Sequence, residues 1–167
     1  SVAARQRGLE VGVVTQERSA ESAAVRLLQE SGVRIELDDR AGRLRHRFCV
    51  ADGRVVWVGG VAFTRLGLFQ DYGSAIVARS PELAANYLAE FEEMYVDQAY
   101  GRRSPAETAY PRFALGEVPV ENYFSPEDGI ENQIVAELAE ANERVDFLAH
   151  RLTSRRLGDA LLARMVY

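Results

Sequence analysis

The sequence contains no lysine, so arginine supplies all 20 of its basic side chains. The arginine guanidinium remains protonated and can bind carboxylates and phosphates through two parallel hydrogen bonds. The 25 acidic residues outnumber the arginines, and the formal net charge is −5. An acidic molecule does not attract nucleic acid or anionic lipid through its overall field, so nucleic acid is an unfavoured partner. Any phosphate binding must therefore come from a local cluster of arginines.

Cysteine and long apolar runs are scarce as well. Cys49 is the only cysteine, which excludes an internal disulfide and is typical of a cytoplasmic protein. We expect this thiol to be buried as a small apolar group rather than to react. No apolar run approaches the roughly 20 residues that cross a bilayer, and no signal peptide is visible. The sequence therefore predicts a cytoplasmic location and no membrane insertion.

Sequence signals for metal ions and nucleotides are also missing. His150 has no histidine, cysteine or carboxylate partner at metal-ligand spacing. No glycine-rich phosphate loop precedes a predicted helix. We therefore expect neither a metal nor a cofactor.

Predicted strands and helices alternate along the chain. Apolar runs and period-2 alternation predict strands over residues 8–14, 33–37, 44–51, 54–59, 75–78 and 145–149. Helix-start signals occur at Ser19, at Ser80-Pro81-Glu82, at Ser125-Pro126-Glu127 and at Thr153 or Ser154. Strands interleaved with helices predict an α/β fold with helices on both faces of the sheet.

The character of the sequence changes near residue 100. Four of the five prolines lie between residues 105 and 126, which predicts a linker over residues 101–122. A new unit then begins, so residues 1–100 and 123–167 are the two predicted structured parts. The acidic stretch at Glu90, Glu92 and Glu93 has the pattern of a solvated helix face.

The stretch LRHRFCVADGRVVWVGG, residues 44–60, carries the most chemistry. Asp52-Gly53 between two apolar runs is a strong hairpin signal. Because side chains alternate along a strand, Arg45 and Arg47 share one face, and His46 lies on the opposite face, which we expect to be core. Two guanidinium groups about 7 Å apart by strand geometry could clamp a phosphate. The alternative is that they are solvated arginines that protect an edge strand from aggregation.

The same stretch resembles the signature of the phospholipase D superfamily, H-x-K-x4-D-x6-G-S-x-N. The matching positions in this chain are Arg45, Arg47, Asp52, Gly59, Gly60 and Ala62, followed by Thr64, which also matches common members. Residues 123–167 look like the first helix, strand and helix of a second, truncated copy. The resemblance implies an α/β fold of phospholipase D type, in which a mixed β-sheet is sandwiched between helices.

The resemblance also implies a phosphodiesterase mechanism without a metal. In the superfamily, the motif histidine attacks phosphorus and forms a phospho-enzyme. The histidine of the partner copy protonates the leaving group and later activates water. A complete site would then need the remainder of a longer parent chain or another copy as its partner.

This chain departs from the superfamily motif at its most important position. Arg45 occupies the place of the nucleophile, and a guanidinium cannot attack phosphorus. Gly60 and Ala62 remove two side chains that orient the phosphate. We therefore predict no catalytic residue in this half-site, with Arg45 and Arg47 as phosphate-binding candidates.

The remaining motif residues are predicted to be structural. They are Asp52, Gly59, Gly60 and Thr64. His46 is one residue out of register with the motif, so we expect it to pack rather than to react.

Two functions remain open at this point. The chain could be part of a phosphodiesterase whose activity rests on residues elsewhere, or a binding or scaffold module that retains an anion clamp. Lipids, nucleic acids and other phosphodiesters are all possible ligands. We also expect residues 145–149 to pair beside residues 10–14, or to be exchanged with another chain, because an exposed sheet edge favours strand pairing.

Overall fold

The computed structural model describes residues 7–40, 42–105 and 108–165. The chain divides into two compact units, Ser1–Asn122 and Tyr123–Tyr167. The assignment of these parts to two superfamily copies remains a prediction.

The first unit begins with a parallel pair of strands, β1 (Gly12–Gln16) and β2 (Arg34–Asp38). Parallel neighbours need a crossover connection, and helix α1 (Ala23–Glu30) supplies it. The hydroxyl of Ser22 accepts a hydrogen bond from the backbone of the first turn and caps this helix. The predicted cap, Ser19, lies instead in a short 3-10 turn before the helix.

A second sheet contains three antiparallel strands, β3 (Phe48–Ala51), β4 (Val55–Gly59) and β5 (Ala75–Arg79). The predicted Asp52-Gly53 turn is confirmed. Asp52 has φ 52° and Gly53 has φ 59°, the left-handed geometry that tight hairpins require and that Asp and Gly adopt most readily. Strand β3 begins at Phe48, not at residue 44 as predicted.

The longest helix, α3 (Pro81–Tyr95), forms the core of the first unit. The hydroxyl of Ser80 accepts a hydrogen bond of 3.1 Å from Leu83 N, and proline occupies the first helical position, as the sequence predicted. The helix contacts β1, β3, β4 and β5, so it joins the two sheets. The buried apolar residues of α3 and the sheet it covers are Val56, Ala78, Leu83, Ala84, Tyr87 and Met94.

The predicted α/β class is confirmed. Parallel and antiparallel pairing occur in separate sheets among the described residues, and α3 contacts both. Strands β1 and β3 therefore belong to different sheets, and the candidate site lies between them.

Residues 101–122 form more structure than the predicted linker. Strands β6 (Arg112–Leu115) and β7 (Val118–Glu121) pair as an antiparallel hairpin. Gly116 lies in the turn with φ 63°, where a residue without Cβ is least strained.

A buried amide connects this hairpin region to α3. The Asn86 side chain is 1% exposed as a residue, and its Nδ2 donates to the Tyr110 carbonyl (2.7 Å) and to Asn122 Oδ1 (3.0 Å). Its Oδ1 accepts from Tyr110 N at 2.9 Å. These bonds satisfy a polar group that would otherwise be costly to bury.

The second unit contains two helices, α4 (Ile130–Glu140) and α5 (Arg155–Arg164), which pack together. Ser154 caps α5 by accepting from Leu157 N, and so confirms one of the two predicted caps. The predicted start of the preceding helix at Ser125 is wrong, because α4 begins at Ile130. No described helix is both long and apolar enough to cross a membrane.

The predicted strand over residues 145–149 does not form. These residues carry no strand and pair with none of the described strands, including residues 10–14. A strand exists only when a neighbouring chain segment accepts its backbone hydrogen bonds, and none is provided here. Instead, Asp146 pairs locally with Arg144.

Candidate functional site

A cleft of about 890 Å³ lies between β1 and β3, and α3 forms its floor. We call it the β1–β3 cleft. It is lined by residues 10–16, by Leu44 and residues 46–50, by Ala62, Phe63 and Thr64, and by Leu88, Phe91, Met94 and Tyr95 among others. Cavities of this volume accommodate small-molecule ligands.

Gly12 allows β1 to lie close to the floor of the cleft. A Cβ atom at this position would lie 3.0 Å from the rings of both Phe91 and Tyr95. Those two rings stack with their centroids 4.8 Å apart. The absence of a side chain at residue 12 therefore brings the strand and the helix together.

Charged side chains are separated along the cleft. Glu10 and Arg18 both line it and lie at opposite ends of β1. Glu92 lines the cleft as well.

The opposite end is basic. Gln16 Nε2 donates to the Gly42 carbonyl at 2.8 Å, which brings the last residue of β1 beside the segment that leads into β3. Arg47 lies immediately before β3 and lines the cleft together with Arg18 and Thr64. An anion would be attracted to this end, because two guanidinium groups and a hydroxyl border it.

Both the backbone and the side chain of Arg47 are attached to the glycine pair that ends β4. The Arg47 carbonyl accepts from Gly59 N at 3.2 Å, and the guanidinium Nη1 donates to the Gly60 carbonyl. Among the described residues, the Arg47 side chain makes no ion pair with a carboxylate. A neutral carbonyl does not neutralise the guanidinium to which it is hydrogen-bonded. The positive charge of Arg47 can therefore attract an anionic ligand.

Arg45 has a different environment. It is exposed and does not line the cleft. Residues 45–47 precede β3, so the expectation that Arg45 and Arg47 share one strand face remains a prediction. Whether either arginine binds phosphate remains a prediction.

His46 also lines the cleft and contacts a buried carboxylate. Its Nε2 lies 3.3 Å from Glu90 Oε1, and the Glu90 side chain is only 7% exposed. Its ring meets the Phe48 ring edge to face, with centroids 6.3 Å apart. Burial raises the pKa of Tyr87, and the negative charge of Glu90 raises it further.

The prediction that Glu90 lies on a solvated helix face is wrong. Leu83, Tyr87, Glu90 and Met94 are all buried on α3, and they recur at the spacing of one helical stripe. The helical spacing of these four residues is present in the sequence. The adjacent Glu92 and Glu93 nevertheless gave Glu90 the pattern of a solvated face. His46 lies against buried Glu90 of α3, as the expectation that it packs on the core face predicted.

The motif-matching glycine and threonine have structural roles. A Cβ atom at Gly59 would lie 2.2 Å from the Ser74 carbonyl oxygen, so no other residue can be accommodated there. Thr64 Oγ1 accepts from Gly67 N at 3.0 Å and caps the short helix α2 (Arg65–Phe69). Gly60 has open space around it.

Cys49 is exposed, so the prediction of a buried thiol is wrong. It follows Phe48 in β3, whose ring packs on Tyr87 of α3 with centroids 4.8 Å apart. Alternation directs Cys49 to the face of the sheet opposite Phe48, where it is exposed. Among the described residues, no group of three or more histidine, cysteine or carboxylate side chains could hold a metal ion.

Comparison with protein families agrees with the resemblance carried by residues 45–64. The family described as "Cardiolipin synthase, PLD-like domain" matches residues 2–95, more than half of the chain. The chain belongs to this phospholipase D-like family. The match ends with the last residue of α3, so the second unit lies outside it.

Individual relatives are distant. Human mitochondrial cardiolipin hydrolase is 26% identical over 92 residues, which cover 54% of this chain and 36% of the relative. The mouse mitochondrial cardiolipin hydrolase is 24% identical over 92 residues, 54% of this chain and 42% of the relative. The chain thus matches about two fifths or less of the length of these curated relatives. The solved structure of Nuc from Salmonella typhimurium, a phospholipase D family member, has 23% identity and a TM-score of 0.49, and the similarity covers 55% of this chain and 64% of Nuc.

Proposed function

We propose that this phospholipase D-like chain binds a phosphate ester at the basic end of the β1–β3 cleft and does not cleave it by itself. The observation that carries the proposal is the state of Arg47. Its guanidinium is half-buried, lines the cleft and contacts a carbonyl rather than a carboxylate. Charge-assisted hydrogen bonds from such a group to phosphate oxygens are among the strongest that a side chain makes.

Residue 45 is the reason that we expect no turnover. In the family motif, this position carries the nucleophile, and here it carries arginine. A guanidinium has no lone pair available for attack on phosphorus at any ordinary pH. The full reaction would then need a histidine from outside this half-site. We propose that any activity of a longer parent protein depends on such a residue.

The curated relatives guide the choice of probe. They are named as cardiolipin hydrolases, so a phospholipid phosphodiester is the first ligand to test. Calorimetric titration with a soluble short-chain phosphodiester lipid should show saturable binding, with inorganic phosphate as a competitor. Arg47→Ala should weaken this binding, whereas Arg43→Ala, which removes an exposed arginine outside the cleft lining, should not.

Hydrolysis is measured in parallel on vesicles that contain cardiolipin. The proposal expects no product above the level of the buffer control. Product formation by the wild-type chain, or equal affinity in the two arginine variants, would contradict it.

A second candidate function is hydrolysis that depends on His46. The supporting observation is its contact with buried Glu90, because a carboxylate orients an imidazole. As a general base, His46 would take a proton from water while that water attacks phosphorus and the P–O bond to the leaving group breaks, and the imidazolium would return the proton to the departing alkoxide. Turnover that His46→Gln abolishes without loss of ligand binding would favour this function over the first.

A further inference from the structure

One loop of the first unit exposes several large apolar side chains together. It consists of residues 61–73, lies between β4 and β5 and contains the short helix α2; we call it the apolar loop. Phe69 is 80% exposed and Tyr72 is fully exposed. The other large apolar side chains of this loop that are more than half exposed are Phe63, Leu66 and Leu68. A contiguous group of exposed apolar side chains marks an interaction surface, whereas scattered ones do not.

The two ends of the apolar loop are fixed to each other. Gly60 N donates a hydrogen bond of 3.0 Å to the Ser74 carbonyl, and a Cβ atom on Gly73 would lie 2.7 Å from Val61 Cγ2. Thr64 caps the short helix inside the loop. Closed ends around a compact interior are the geometry of an Ω-loop. The apolar side chains are therefore carried by a defined support.

The apolar loop begins at the basic end of the β1–β3 cleft. The Arg47 guanidinium donates to the carbonyl of Gly60, the residue before the loop. Phe63 and Thr64 line the cleft. The Phe63 ring also lies against the Trp57 ring, with centroids 4.8 Å apart. The exposed apolar surface is thus continuous with the proposed phosphate site.

Exposed arginines accompany this surface. Arg65 lies in the apolar loop, Arg43 and Arg45 lie just before Arg47 in the chain, and all three are exposed. The loop contains a single acidic residue, Asp71. At physiological salt only charges within about 8 Å act strongly on one another. The local positive charge can therefore attract an anionic surface although the whole chain is acidic.

We propose that the apolar loop docks this chain on the surface of an anionic phospholipid membrane, with Phe69 and its apolar neighbours among the acyl chains. The choice of a lipid surface rests on the proposed function. A bilayer presents phosphate groups directly above apolar chains, so one partner can meet both the cleft and the loop. Anionic lipid also attracts the neighbouring arginines. A second copy of the chain would cover the apolar side chains, but it would not explain their position beside a phosphate site.

Vesicle flotation tests this docking. The chain is mixed with phosphatidylcholine vesicles that contain or lack phosphatidylglycerol, and the bound fraction is measured. The proposal expects binding to the anionic vesicles that Phe69→Gln weakens about tenfold, because a large apolar side chain no longer leaves water. Leu27→Gln changes an exposed leucine of α1 outside the cleft lining and should bind like the wild type. Absence of wild-type binding, or equal weakening by the two variants, would overturn the proposal.

Fluorescence quenching distinguishes insertion from adsorption by charge alone. Cys49 is the only cysteine, so Cys49→Ser/Phe69→Cys and Cys49→Ser/Leu27→Cys each accept a single environment-sensitive label. Phospholipid brominated in its acyl chains should quench the label at residue 69 and leave the label at residue 27 unquenched. Equal quenching of the two labels would overturn the proposal.

A measurement in solution separates this proposal from the proposed function. Phe69 does not line the cleft, so Phe69→Gln should bind the soluble short-chain phosphodiester lipid as tightly as the wild type. Vesicle binding that depends on Phe69, without binding of the soluble lipid, would support the docking and refute the proposed function. Binding of the soluble lipid without vesicle binding would refute the docking alone. Self-association that Phe69→Gln abolishes, with vesicle binding unchanged, would identify a second copy as the occupant and overturn the proposal.

Discussion

Arg40 and Arg47 lie in the same unit, but Arg40 pairs with a carboxylate and Arg47 hydrogen-bonds to a backbone carbonyl. Arg40 Nε lies 2.8 Å from Asp38 Oδ1, and its Nη2 lies 3.1 Å from Oδ2, in a bidentate pair with a carboxylate of 0% exposure. Its guanidinium also lies 4.6 Å from the centre of the Tyr100 ring. In the described part of the chain, the Arg47 guanidinium hydrogen-bonds to the Gly60 carbonyl and to no carboxylate. An arginine that neutralises a buried acid stabilises the fold, whereas one that contacts a neutral oxygen remains available for an anion.

The protonation behaviour of the first pair agrees with this view. Burial raises the pKa of Asp38, but the hydrogen bonds from Arg40 outweigh it, and the pKa lies below its ordinary value. The hydrogen bond to Asp38 raises the pKa of Arg40. A carboxyl with a lowered folded pKa stabilises the protein above its unfolded pKa of about 3.9, and this contribution is lost as the pH falls through the folded value.

The largest expected effect is on stability when the internal pair is broken. Arg40→Ala leaves the Asp38 carboxylate buried without its partner, and we expect a loss of about 3 kcal/mol in the free energy of unfolding. Urea titration at pH 7 measures it, with Arg47→Ala as the matched control at under about 0.5 kcal/mol. Similar losses in the two variants would remove the distinction between the arginines.

A smaller effect concerns Tyr100, the ring beside Arg40. Burial, followed by the charges of Glu36 and Asp38, raises its pKa to about 12 from a model-compound value of 10.0. The neutral phenol is the folded form, so its contribution is complete below pH 10 and is lost as the pH rises toward 12, on the order of 2 kcal/mol.

Tyr100→Phe isolates this contribution. The buried hydroxyl has no hydrogen-bond partner in the described part of the chain, so the variant should match the wild type at pH 7. Urea midpoints between pH 8 and pH 11.5 should fall less steeply for Tyr100→Phe. Parallel pH profiles for the two proteins would show that Tyr100 is not the titrating group.

The effect on ligand affinity should be next in size. Arg47→Ala should weaken phosphate binding about tenfold, or about 1.4 kcal/mol, with little change in unfolding. Arg47→Lys should recover part of the affinity, because an ammonium retains the charge but not the two-pronged geometry. Full affinity in Arg47→Ala would mean that the cleft cation is not a ligand.

The smallest effect is expected at Arg45. This side chain is exposed and outside the cleft lining, so Arg45→Ala should change neither unfolding nor phosphate binding by more than about 0.5 kcal/mol. Both quantities come from the same titrations. A loss of affinity as large as that of Arg47→Ala would instead support the clamp of two arginines that the motif spacing predicts.

Local signals in the sequence predicted local structure well. The Asp52-Gly53 turn and the start of α3 at Ser80-Pro81 are fixed by backbone conformations and capping bonds that involve only neighbouring residues. The family spacing from Arg45 to Thr64 was also readable, because it depends on residue order rather than on packing.

Signals that depend on distant partners failed or were incomplete. Glu90 is buried and contacts His46, a distant residue in sequence, and residues 145–149 pair with none of the described strands. Strand β3 begins only at Phe48, so its start four residues after the predicted one could not be read from the apolar pattern alone.

The sequence by itself determined the family, the hairpin and the capped helix. Each follows from residue identity or from contacts within a few residues. Only the tertiary structure decided that Arg47 rather than Arg45 lines the cleft and that Arg40 pairs with buried Asp38. Those outcomes depend on which segments of the chain meet in space, and burial and hydrogen-bond pairing between distant residues set them.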